Sequence, residues 1–115
     1  YPDFACRAWV LFTGSSGAIV ASGNVTSVTR NSTGDYTVNY TTAMPDANYT
    51  LAISASSNFN GTTNNGFAIG ALRSNGLGNA PTLKSTAQTR FMVADAADTN
   101  TVVADSANTS FMVIR

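Results

Sequence analysis

Six aspartates, Asp3, Asp35, Asp46, Asp95, Asp98 and Asp105, are the only carboxylate side chains of this 115-residue chain. Two carboxylates flanking a glycosidic bond are enough for glycoside hydrolysis. Asp35 and Asp46 fall in turn sequences, where Asp bonds its own backbone. Asp95, Asp98 and Asp105 gather around one later turn. These positions read as structural. With Asn100 and Asn108 the late cluster offers oxygens to calcium, but its spacing matches no calcium loop. Cys6 is the single cysteine and has no His to activate it, so it reads as a small core hydrophobe. The chain has neither His nor Glu. That excludes Ser-His-Asp and Cys-His catalysis, His-ligated metals and multi-Cys clusters. Neither a catalytic residue nor a cofactor is expected.

Uncharged polar chemistry is abundant: 16 Thr, 12 Ser and 12 Asn. Six N-x-[ST] sequons, at Asn24, Asn31, Asn39, Asn48, Asn60 and Asn108, follow from this composition without a glycosylation role. Two amide-rich stretches are the best recognition candidates. Residues 57–66 carry Asn58, Phe59, Asn60, Asn64 and Asn65, and residues 74–81 carry Asn75 and Asn79. Each amide both donates and accepts, and an aromatic ring beside amides suits a neutral sugar, with its apolar face and hydroxyl edge. The plainer alternative is that both loops are solvated or pack on a neighbouring subunit.

The elements that must hold these loops are strands. Apolar residues alternate with polar ones, Thr, Val, Ile, Tyr and Phe are enriched, and no helical spacing is sustained. Residues 5–13 form a first strand with Cys6, Ala8, Val10 and Phe12 on one face and Arg7, Trp9 and Leu11 on the other. Large apolar groups on both faces predict cover on both sides. Further strands are expected at 18–22, 25–30, 36–42, 49–55, 67–72, 83–94, 101–104 and 109–115. Turn signals separate them every eight to twelve residues. The fold expected is a single antiparallel β-sandwich over residues 1–115, with about eight or nine short strands and little or no helix.

Charge bounds the partners. Six basic and six acidic residues cancel, and Lys84 is the only lysine. Without a basic stripe, nucleic acid is not an expected partner. The longest apolar run, 8–12, is far below the roughly 20 residues of a membrane helix, so membrane insertion is not expected. Low charge and edges without Lys suit symmetric packing of identical chains, and a homo-oligomer is expected.

Longer motifs add a resemblance. Ala5-Cys6-Arg7-Ala8-Trp9-Val10-Leu11-Phe12 resembles the A-C-R-A-W-V-x-F opening of a domain near the C-terminus of bacteriophage tail-fibre and related virion proteins. Ala21-Ser22-Gly23-Asn24-Val25 is similar to its A-S-G-N-V segment. The run from Thr33-Gly34-Asp35-Tyr36 through Met44-Pro45-Asp46-Ala47-Asn48-Tyr49 resembles its T-G-D-Y-T-V-N-F-T-T-A-M-P-D-A-N-Y stretch, and Val113-Ile114-Arg115 its ending. The likeness is close over residues 5–56 and loose elsewhere. It implies a non-enzymatic virion protein: a trimeric tail-fibre domain that attaches to a glycan or protein of the host surface. A structural module on the capsid surface, neck or fibre, bound to other virion proteins, is the alternative. The matched motifs imply framework roles, with Trp9 and Tyr36 as core candidates and Gly34 and Pro45 shaping turns.

Overall fold

The structure, a computed structural model, describes residues 5–55, 58–59, 62–63, 67–72, 84–96, 101–103 and 108–115. All regular structure among them is β: β1 (Cys6–Thr13), β2 (Ala18–Gly23), β3 (Val25–Ser32), β4 (Asp35–Tyr40), β5 (Thr50–Ala55), β6 (Asn58–Phe59), β7 (Thr62–Thr63), β8 (Phe67–Leu72), β9 (Gln88–Ala96), β10 (Thr101–Val103) and β11 (Thr109–Ile114). The expected sandwich is present. Its count rises to eleven because the 57–66 stretch carries a two-residue hairpin, with Asn58 opposite Thr63 and Phe59 opposite Thr62.

Sheet A runs β2-β1-β11-β5, and every pairing in it is antiparallel. Sheet B is built on β9. One edge of β9 pairs with β8 from Phe91 to Ala96. Its other edge pairs with β4 from Gln88 to Met92 and then with β10 from Ala94 to Ala96. β3 closes the sheet beyond β4. The chain crosses between sheets at Asn24, whose φ of 57° lies in the left-handed region that Asn tolerates. Its Nδ2 donates to the Arg7 carbonyl at 3.0 Å and to the Thr42 carbonyl at 3.1 Å, while its Oδ1 accepts from the Thr42 N–H at 2.7 Å. One side chain thus ties β1 to the chain leaving β4.

The core follows from alternation. Ala8, Val10 and Phe12 of β1 and Phe111 and Val113 of β11 face Tyr36, Val38, Phe91 and Val93 of sheet B, all buried. Phe91 stacks on Phe111 at 5.2 Å between centroids, and Phe12 meets Tyr36 edge-on at 4.9 Å. Such ring pairs add about 0.5–1.5 kcal/mol each beyond area burial. The Tyr36 hydroxyl donates to the Gly14 carbonyl at 2.9 Å, so a full-length aromatic is buried without stranding its polar tip. A second polar knot joins Tyr40, Tyr49 and Thr89, with Tyr49 donating to the Ser85 carbonyl at 2.7 Å. Burial pushes the Tyr40 phenol well above its usual range.

Two residues of the first strand depart from expectation. Cys6 is exposed rather than core filler. Cys6 pairs with Ile114 and Ala8 with Val113, so Arg7 is an extra residue in a bulge and Cys6 no longer shares the face of Ala8. Trp9 is 44 % exposed rather than core, and β1 is covered on one face only. Its large outward side chains lie on the surface of sheet A.

Candidate interaction face

The outward residues of sheet A form ranks across the strands. Gly23, Trp9, Met112 and Ala52 lie side by side across β2, β1, β11 and β5. The next rank is Ala21, Leu11, Ser110 and Ser54. Ile114 and Thr50 continue the face toward Cys6. None of these side chains carries a charge. A shallow groove of about 460 Å³ opens here, lined by Trp9, Leu11, Met112, Ala52, Ser54 and Ser110 among others.

Gly23 sets the position of the indole. A Cβ there would come within 2.4 Å of Trp9 Nε1 and 2.9 Å of its Cδ1, well inside contact distance. The pyrrole side of the ring therefore lies over the backbone of β2, in space that only glycine leaves open. An aromatic covering a cross-strand glycine both shields that backbone and fixes the ring. The exposed part of the ring is thus held in place.

The outer face of sheet B is its chemical opposite. Arg90 donates to both oxygens of the buried Asp35 carboxylate, at 2.9 and 2.7 Å. The Asp35 partner holds the Arg90 guanidinium above its ordinary range. Asn39 donates to the hydroxyls of Ser27 and Thr29, and Asn31 to that of Thr37 at 2.8 Å. These cross-strand bonds occupy polar side chains of the kind that also faces water. Asp35, expected in a turn, opens β4 instead. Asp46 does lie in a turn, where it accepts from the Asn48 N–H at 2.8 Å. It also pairs with the Arg115 guanidinium, and that hydrogen bonding holds its carboxyl below the usual range.

Of the sequence-derived recognition residues, Asn58 and Phe59 form β6. Asn60, Asn64, Asn65, Asn75 and Asn79 lie outside the described residues, as do Asp3, Asp98 and Asp105. The strands that anchor the two loops are clear. The first loop leaves at Ala55 and re-enters at Phe67, opposite Ala96. The second leaves at Leu72, opposite Phe91, and re-enters at Lys84, which bridges to Thr89. The loops therefore spring from opposite ends of β8, about 17 Å apart along a strand of that length. Sequence reading missed the outer face of sheet A. Its signal is the apolar pair Trp9 and Leu11, which alternation alone places under a covering layer.

No family model, curated protein or solved structure matches the chain.

Proposed function

We propose that this chain is a tail-fibre domain of a bacteriophage, attaching the virion to the host surface without catalysis or cofactor. In this reading its partners are further copies of itself in a trimer, other virion proteins, and a glycan or protein of the host. Recognition falls to residues 57–66 and 74–81, with Asn58, Phe59, Asn60, Asn64, Asn65, Asn75 and Asn79 supplying amides and a ring.

One observation supports the reading above others. The segments that resemble the virion domain are used up by the framework. Gly23 sits under Trp9, and Asn24 turns the chain between sheets. Gly34, at φ 66°, makes the β3–β4 turn. Asp35 and Asp46 each hold an arginine. The amide-rich stretches lie outside that framework segment, anchored at both ends of β8 by paired strands. Loops on a rigid β scaffold are where recognition chemistry can vary without cost to the core.

A second reading is a structural module of the capsid, neck or fibre, in which the exposed Trp9 and Met112 pack on neighbouring subunits. Immunogold labelling of intact virions with antibody to this chain decides between them. Gold at the distal ends of fibres is the expected result. Gold over the capsid or neck would sink the attachment reading and make the same loops assembly contacts.

A further inference from the structure

We infer that the outer face of sheet A is the surface through which copies of this chain associate, with Trp9 buried at the contact. The inference stands on this face and does not require the virion reading.

When copies meet about a symmetry axis, residues near the axis face their own equivalents. Any charge there opposes its like, whereas contact with a different protein carries no such restriction and profits from complementary charges. The ranks Gly23-Trp9-Met112-Ala52 and Ala21-Leu11-Ser110-Ser54 hold no charged side chain. The outer face of sheet B holds the Asp35–Arg90 pair and a set of cross-strand polar bonds. Among the described residues the two faces of the sandwich are thus built differently, and that of sheet A suits self-contact. A formal net charge of zero adds no long-range repulsion between copies.

Trp9 and Met112 are 44 % and 36 % exposed, side by side on neighbouring strands. Trp and Met are enriched at contacts between proteins. Among the described residues the polar side-chain groups of the groove are the Ser54 and Ser110 hydroxyls, the Cys6 thiol and the Trp9 indole N–H, with neither an amide nor a charged group to fix a sugar's hydroxyls.

A four-stranded face about 20 Å on a side offers roughly 400 Å² in projection. That is about half of what each partner contributes to a standard interface. The contact must therefore run onto an adjoining surface, and the free edge of β2 supplies it. β2 is an edge strand with neither Lys nor Pro, and its Val20, the extra residue of a bulge opposite β1, is 63 % exposed. The bulge turns this edge away from strand pairing, so the contact there is made by side chains.

Trp9 is the sole tryptophan, so its emission reports on this face alone. The test is sedimentation equilibrium of the full chain over a concentration series, with tryptophan emission and acrylamide quenching on the same samples. The expected result is a mass above one chain at high concentration, with emission moving to the blue and quenching falling over the same range. Met112→Glu and Ala52→Glu, both at exposed positions, should each weaken association at least tenfold while leaving the far-ultraviolet circular dichroism unchanged. A single-chain mass at every concentration would overturn the inference. So would an oligomer in which Trp9 stays open to quencher, or one that persists in both variants, since association would then use another face or partner.

Discussion

Gly23 and Trp9 constrain each other: the ring occupies the space a Cβ would need, and the missing Cβ lets the ring lie down. Gly23→Ala should therefore destabilise the fold by about 1–3 kcal/mol, the usual cost of forcing atoms into filled space. Urea unfolding would measure this, with a change in tryptophan emission of the folded protein as its signature. A Gly23→Ala variant with unchanged midpoint and emission would mean that the ring has another resting place. Asp46 makes a second residue-scale prediction. Its carboxyl is held below the usual range by Arg115 and by the Asn48 N–H, so its folded pKa lies below its unfolded one. The stabilisation is fully present above the unfolded value, near 3.9, and is lost as pH falls through the folded one. Asp46→Asn should lower the thermal midpoint at pH 6 and converge with the wild type as pH falls through the folded value. A constant gap across that range would show that the loss is not ionic.

Between sheets, the decisive element is the corner at Asn24. Its left-handed φ and its three side-chain bonds join β1, β2 and the end of β4. Asn24→Gly keeps the backbone conformation and loses the bonds, whereas Asn24→Ala loses both. Alanine should thus be the worse substitution, by about 1 kcal/mol in chemical denaturation. Equal loss would assign the corner to its hydrogen bonds alone. The strands that meet here were legible because Tyr36, Val38 and Tyr40 alternate cleanly with Thr37 and Asn39, and the structure buries that set of three. The bulge at Arg7 was not legible. An extra residue leaves the composition of β1 unchanged and shows only against a partner strand, so alternation places Cys6 in the core whereas the bulge puts it on the surface.

At the scale of the molecule, β11 lies between β1 and β5 in sheet A, so the last strand in sequence is central in space. It brings Phe111 and Val113 to the core and pairs Ile114 with Cys6. Removing residues 109–115 should abolish cooperative thermal unfolding, because both neighbours lose an edge and the core loses a stacked ring. A sharp transition in the truncated chain would mean that sheet B folds by itself. The all-β class, the clearest strands and the turn at Gly14–Gly17 were determined by the sequence, since alternation and turn chemistry are local properties read over a few residues. The two amide-rich stretches were equally visible as composition. The order β2-β1-β11-β5, the pairing of Asp35 with Arg90 and the open side of β1 were decided only by tertiary structure. Each depends on which distant segment lies alongside. An apolar outward face reads the same in sequence whether a layer of the same chain covers it or, as Trp9 and Met112 show here, it is left at the surface.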